Sequence, residues 1–204
     1  SSNPPVLPQT GTITAAAVAG DGSVYLAGDF RVSIPEGSYG TLVRLTPTGR
    51  YDPTFQLGLT GSVHAIALQP EGRMWLAGDF GSSDGRLKAS LARLTLNDPS
   101  QPPWQIPING TVSYLFVGPD GWLWVAGTFT QLLGHPMRYL ARIGPDGALD
   151  LNFRSHALEP IRALTWQDGH LLAQGSFTNA SGMPWNGLVI LDTNGAPTAL
   201  LGSP

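Results

Sequence analysis

Cysteine is absent from all 204 residues, so neither a disulfide framework nor a thiolate metal site can hold this chain together, and cysteine usage says nothing about redox compartment. Charge is scarce as well: Asp, Glu, Lys and Arg make up 12% of the residues and leave a formal net charge of −3. With no run of Lys or Arg, nothing draws the chain to phosphate backbones or anionic membranes, and nucleic acid is not an expected partner. Long apolar runs are missing too. None approaches the ~20 residues of a membrane-spanning helix, so membrane insertion is not expected. Ser1-Ser2-Asn3-Pro4-Pro5 lacks the basic-then-apolar pattern of a secretion signal. The expectation is a chain without such a signal, or a mature or excised piece.

What is abundant is glycine, 26 residues, and proline, 18. With so little charge, this composition fits tight turns and short half-buried strands better than long solvated helices, and the fold class expected is all-β. Sliding the chain over itself exposes a repeat of about 49 residues. Ala27-Gly28-Asp29-Phe30 recurs as Ala77-Gly78-Asp79-Phe80, then as Ala126-Gly127-Thr128-Phe129 and Gln174-Gly175-Ser176-Phe177. Other landmarks keep the same step. Asp21-Gly22, Glu71-Gly72, Asp120-Gly121 and Asp168-Gly169 each precede a B strand; Val43-Arg44-Leu45, Ala92-Arg93-Leu94, Ala141-Arg142-Ile143 and Val189-Ile190-Leu191 mark a C strand. A closing segment reads Asp52-Pro53-Thr54-Phe55, Gln101-Pro102-Pro103-Trp104, Asp150-Leu151-Asn152-Phe153 and, eroded, Thr198-Ala199-Leu200-Leu201.

Each unit is thus expected to hold four short antiparallel strands, A to D, with tight hairpin turns joining A to B and C to D. One such meander cannot bury both of its faces, whereas sheets stacked face to face can, which is how a β-propeller is built. The expected divisions are an N-terminal segment at 1–12, an extra outer strand, then blades at 13–61, 62–110, 111–159 and 160–204. The B strands are expected to end at Phe30, Phe80, Phe129 and Phe177. Four blades could close into a ring or form a slice of a longer propeller completed by a partner domain or subunit.

The pattern Asp-Gly, strand, Ala-Gly-(Asp/Thr)-Phe, loop, Leu-Ala-Arg-Leu, Asp-Gly, Leu-Asp-x-x-Phe resembles the delta-60 repeat, a β-propeller repeat of bacterial secreted and surface proteins. Gly121 to Phe129, Tyr139-Leu140-Ala141-Arg142 and Asp146 to Phe153 carry the resemblance most fully. It extends over about residues 13 to 201, with departures at Gln101 to Trp104, at Ile190 and at the closing aromatic of the fourth unit. The resemblance implies a display or adhesion module and an extracellular or cell-surface setting, bacterial or phage, with little chemistry.

Enzyme signatures read poorly in this context. Gly81-Ser82-Ser83-Asp84-Gly85 fits Gly-x-Ser-x-Gly, but that motif works on a strand-to-helix turn above a parallel sheet and here falls in a B–C loop. Asp29 and Asp79 could serve as paired carboxylates of a glycosidase. Thr128 and Ser176 at the same register point instead to side chains that bond nearby backbone amides. Arg44, Arg93 and Arg142 could converge on a carboxylate as in sialidases; on strand C they are expected rather to pair with Asp52 and Asp150 or to bond across blades. His64, His135, His156 and His170 show no metal-ligand spacing, and no metal or cofactor is expected. Asn109-Gly110-Thr111 and Asn179-Ala180-Ser181 fit the glycosylation acceptor pattern and are also ordinary turn sequences.

Topology divides each blade into two unlike ends, short A–B and C–D turns at one and long B–C loops and D–A connections at the other. The B–C segments Arg31 to Gly40, Gly81 to Ala89, Thr130 to Arg138 and Thr178 to Asn186 differ in length and content while the strands repeat, the mark of a kept scaffold with a diversified surface. Exposed candidates for binding are Tyr39, Arg86, Lys88, His135, Met137, Arg138 and Trp185. The function expected is non-enzymatic recognition or adhesion, binding a protein or carbohydrate ligand through this face. The alternatives are a glycan-active propeller enzyme of glycosidase or sialidase-like type and a purely structural spacer.

Overall fold

A computed structural model describes residues 10–34, 37–83, 85, 88–98, 101–168, 170–179 and 181–201, with side chains described outside 31–39. The chain divides into two compact units, Ser1–Ile106 and Pro107–Pro204. Among the described residues the regular structure is β, apart from one 3-10 turn at Pro70–Gly72. Among the described residues no helix is long and apolar enough to cross a membrane.

In the first unit, β1 (Thr10–Val18), β2 (Val24–Ile34) and β3 (Gly37–Leu45) form an antiparallel sheet in that order. Next come β4 (Leu59–Gln69), β5 (Arg73–Ser82), β6 (Lys88–Thr95) and β7 (Trp104–Gln105), a four-stranded antiparallel meander. The second unit opens with β8 (Ile108–Asn109), β9 (Val112–Val117), β10 (Leu123–Gly127), β11 (Gln131–Leu132), β12 (His135–Pro136) and β13 (Leu140–Ile143). Here β9, β10 and β13 make one sheet, and β8, β11 and β12 make a small second one. The last meander is β14 (Ala163–Gln167), β15 (His170–Thr178), β16 (Pro184–Leu191) and β17 (Pro197–Leu201).

Two departures from the sequence expectation have clear causes. Two sheets have four strands, but in the first and third the closing strand shrinks to single bridges, Leu45 to Tyr51 and Ile143 to Leu149. The aspartate that follows ends the pairing: the Asp52 carboxylate accepts from Thr54 N at 3.0 Å, and that of Asp150 accepts from Asn152 N at 3.0 Å. Such side-chain turns compete with a sheet ladder. The B strands also miss their expected ends. β2, β5 and β15 run on to Ile34, Ser82 and Thr178, so most of the first expected B–C loop is a paired hairpin arm, and in the second and fourth the ends of the loop are drawn into the sheet, Gly81 opposite Lys88 and Thr178 opposite Pro184. β10 instead stops at Gly127, because the Asn109 carboxamide oxygen accepts from Thr130 N at 2.9 Å and Gln131 N at 2.6 Å and diverts the chain into the small sheet.

Among the described residues, the aspartate turns form as their sequence dictates. Asp21 accepts from Ser23 N at 2.8 Å, Asp146 from Ala148 N at 2.9 Å and Asp192 from Asn194 N at 2.9 Å, the usual aspartate contribution to a tight turn. Gly121, at φ 78°, takes the left-handed position that an L side chain resists.

Burial of alternate residues on neighbouring sheets builds a main core in each unit, and in the first Phe30 and Val43 form a smaller cluster beside it. In the first, Tyr25, Ala27 and Leu42 of one sheet pack against Val63, Leu76 and Phe80 of the next. In the second, Trp124, Ala126, Leu140 and Phe153 meet Ile161, Leu171, Ala173 and Val189. Each large side chain fully buried in this way contributes about 1.5–3 kcal/mol. Polar pins cross between sheets: the Thr14 hydroxyl donates to Val63 O at 2.5 Å, that of Thr41 to Gly61 O at 2.8 Å, and that of Tyr114 to Arg162 O.

Candidate functional site

The arginines of strand C belong to the scaffold. Arg44 lies 2.8 Å from Asp21 and 3.5 Å from Asp52; Arg142 lies 3.0 Å from Asp120 and 3.8 Å from Asp150 and donates to Thr193 O at 2.7 Å. Arg142 also stacks 4.1 Å over the Trp122 ring, and Arg93 lies 4.6 Å over that of Trp104. These are the blade-to-blade and aspartate contacts expected of structural cations. At the same end, the Ser23 backbone N–H and then its hydroxyl, with help from Arg44, hold the Asp21 carboxyl below the usual carboxylate range.

The other end of each sheet, where the B–C arms and D–A connections lie, carries a cavity in each unit. That of the second unit, about 490 Å³, is walled by His135, Pro136, Met137 and Arg138 from β12 and the residues after it. Its opposite wall is Leu151, Phe153, Arg154, Ser155 and Ala157 of the D–A connection. The wall is held in place from behind: Met137 N donates to Thr130 O at 3.1 Å and Tyr139 N to Phe129 O at 3.0 Å. Met137 and Phe153 are buried and form the floor, Arg138 and His135 are exposed, and Leu151 stands 51% exposed. Arg154 is fixed by donating from Nη1 to Leu151 O at 2.6 Å and Phe153 O at 3.1 Å.

At this end of the first unit a cavity of about 690 Å³ is lined by Asp29, Asp79, His64, Thr41 and the β4 segment Leu59 to Ser62; another, about 500 Å³, lies at the short-turn end of the same unit among Asp21, Tyr25, Arg44, Phe55, Glu71 and Arg73. Asp29 and Asp79 are exposed, and among the described residues their carboxylates take part in no hydrogen bond or ion pair. The expectation that they bond backbone amides is corrected here: the amide after each bulge is used in the ladder, as Thr128 N to Thr111 O at 2.9 Å shows in the third sheet. Thr128 does follow the expectation, its hydroxyl accepting from Thr111 N at 3.0 Å. Thr41 holds a left-handed φ of 71°, costly for a β-branched residue. Among the described residues, no group of three or more His, Asp or Glu is placed to hold a metal.

The sequence-selected residues therefore separate. His135, Met137 and Arg138 share one cavity, but Met137 is only 7% exposed, so its expected display at the surface is corrected: it is floor, because the small sheet folds its side chain inward. Trp185 is not in a loop; it sits in β16 opposite Phe177 and packs half-buried against the second core. The Tyr39 backbone belongs to β3, paired with Val32, while its side chain lies outside the described residues, as does Arg86. Lys88 is exposed at the start of β6. Leu151 and Arg154 were missed. Their signal was the long D–A connection that follows Asp-x-x-Phe at the same end of the blade.

Asn109, one of the two glycosylation patterns, has its carboxamide committed to Thr130 and Gln131, which is the turn reading.

Comparison with known proteins adds one family. Residues 19–55 and 118–153 match a model described as a domain of unknown function (DUF5122) beta-propeller. The repeat is of the β-propeller type. Both matched stretches run from an A–B turn to the closing Asp-x-x-Phe and so cover equivalent parts of two blades. Among solved structures the chain is similar to the extracellular domain of BT4673 from B. thetaiotaomicron, with 17% identity and a TM-score of 0.49, over 93% of this chain and 23% of that one. It is also similar to virginiamycin B lyase from Staphylococcus aureus, with 14% identity and a TM-score of 0.45, over 96% and 71%. The chain thus spans less than a quarter of the length of BT4673's extracellular domain. No curated protein matches the chain.

Proposed function

We propose that this chain is a non-enzymatic recognition or adhesion module, built on delta-60-type blades and working at a bacterial or phage surface or in a secreted assembly, that holds a protein or glycan ligand at the B–C and D–A ends of its blades. The observation that carries this reading is the cavity at His135, Arg138, Leu151 and Arg154. It joins two connections that vary between blades, while the arginines that repeat are spent inside the scaffold. Variable residues grouped around a cavity on a rigid frame are the usual form of a binding site.

A second reading, a glycan-active enzyme, has one observation in its favour: Asp29 and Asp79 face the same cavity in the first unit, as a carboxylate pair must. A glycan array, immobilised protein candidates and a panel of chromogenic glycosides separate the readings. Binding without turnover supports recognition, turnover supports the enzyme, and neither leaves a structural spacer. His135→Ala with Arg138→Ala should abolish binding, whereas Glu71→Gln with Asp168→Asn, in the short turns at the opposite end, should leave it intact. The reverse result would place the working surface on the short-turn end.

A further inference from the structure

We infer that the cavity of the second unit binds a carboxylate carried by an acidic peptide segment, Arg138 and Arg154 holding the acid and the Leu151 face covering a neighbouring aliphatic side chain. This rests on the recognition reading above and narrows it to one class of ligand.

Charge is the first support. The chain is net acidic, and its scaffold arginines are neutralised: Arg44 by Asp21 and Asp52, Arg73 by Glu71, Arg142 by Asp120 and Asp150, Arg162 by Glu159. The cavity reverses this pattern. Its wall holds Arg138, Arg154 and His135 and no Asp or Glu. The Arg138 guanidinium is exposed and has no hydrogen-bond or ion-pair partner among the described residues. Arg154 is already oriented, because one nitrogen of its guanidinium is tied to Leu151 O and Phe153 O, which leaves the rest of the fork free. A planar fork with uncommitted N–H groups matches a carboxylate.

Shape and polarity choose the carrier. A volume of about 490 Å³ exceeds what one carboxylate fills and falls within the range of small-ligand pockets. The exposed apolar surface beside the cations is Leu151. The aromatic ring in the wall, Phe153, is 1% exposed and offers no platform on which a sugar ring could stack. An acidic residue flanked by aliphatic ones meets both features, whereas an acidic sugar meets the charge alone.

The test uses the whole chain and an array of fluorescein-labelled peptides of the pattern aliphatic–acidic–aliphatic, each paired with its Asn or Gln counterpart. Glucuronic acid and inorganic phosphate serve as competitors, and the best peptides are titrated by anisotropy. Acidic peptides should bind at least about tenfold more tightly than their amide counterparts, and that preference should shrink as salt rises from about 50 to 500 mM. Arg138→Gln, which removes no internal contact, should weaken binding about tenfold and leave melting unchanged; adding Arg154→Gln should bring it to background. Equal binding of acid and amide peptides overturns the proposal. Glucuronic acid binding more tightly than every peptide, with the same loss on Arg138→Gln, overturns the peptide assignment and leaves the recognition surface standing. Peptide binding that survives both arginine substitutions shows that the cavity is not the site and removes the recognition reading's support as well.

Discussion

Gly127 is the position where the repeat can be tested most sharply. A Cβ built on it would sit 2.0 Å from Thr111 O and 2.9 Å from Val112 Cα, both backbone atoms of the adjoining strand. The register of β9 and β10 shifts at this point, between Ala126 and Gly127. Ordinary contact requires more than an ångström of extra separation, and backbone in a ladder cannot move that far without breaking Thr128 N to Thr111 O, 2.9 Å. Losing that hydrogen bond costs about 1 kcal/mol, and the displacement adds the 1–3 kcal/mol typical of overpacking. Gly127→Ala should therefore destabilise by about 2–4 kcal/mol, or roughly 5–15 °C in Tm at 2–4 °C per kcal/mol. Gly175 holds the same repeat register, yet its nearest atoms are a Phe177 ring carbon at 3.4 Å and an Ile161 methyl at 3.8 Å, and no register shift interrupts its pairing with Gly187. Gly175→Ala meets side chains that can yield and restricts the unfolded chain, so its effect should stay within about 0.5–1 kcal/mol of zero. Urea unfolding of both variants provides the measurement. Midpoints that agree within about 0.5 kcal/mol would refute the close-approach argument.

Three further outcomes are expected. Arg142→Lys should cost about 2–3 kcal/mol in urea unfolding, because an ammonium cannot reach Asp120, Asp150 and Thr193 O together or stack on Trp122; an unchanged midpoint would show the cluster to be incidental. Burial lifts the Tyr25 hydroxyl above its ordinary range of about 10, an effect that the nearby Arg44 opposes. Its folded pKa lies above the unfolded one, so stability is intact below about pH 10 and lost as pH rises through the folded value; Tyr25→Phe should flatten that alkaline loss in melts taken across the range. Trp185→Ala should lower stability by at least about 1 kcal/mol because the ring packs on the second core, whereas Arg138→Ala should leave the melting curve in place.

The hairpin turns and the glycine register are legible because aspartate, glycine and tight backbone approach leave local marks that recur from unit to unit. Both physical readings of the repeated glycine, a collision and a bulge, meet at Gly28, Gly78 and Gly127. The arms beyond Phe30 and Phe80 look like loops in the sequence because segments such as Ser38-Tyr39-Gly40 and Gly81-Ser82 lack the apolar alternation that marks a strand; backbone pairing alone extends them. Trp185 was misplaced for the same reason. The candidate site was half legible. His135 and Arg138 stood out as variable loop residues, but Arg154 directly follows Phe153 of the closing motif and looked like part of it, and the inward turn of Met137 depends on a two-residue ribbon that no periodicity announces.

The four internal copies also explain which arginines are free. In the first and third blades the strand-C arginine meets an aspartate from the A–B turn and another from the closing segment, Asp21 and Asp52 for Arg44, Asp120 and Asp150 for Arg142. In the second blade Gln101 stands at the position of the closing aspartate, and Arg93 stacks on Trp75 and Trp104. In the fourth, Ile190 stands at the arginine register and Thr198 at that of the closing aspartate, so cation and partner disappear together. Loss of an arginine alone would leave a desolvated carboxylate, and loss of the aspartate alone a half-buried cation; paired loss avoids both costs. The two stretches that match the family model, 19–55 and 118–153, contain the two complete triads. An arginine in register is thus committed to holding its blade; out of register, Arg73 and Arg162 meet the nearby Glu71 and Glu159, and Arg138 and Arg154 are the arginines that line the cavity of the second unit.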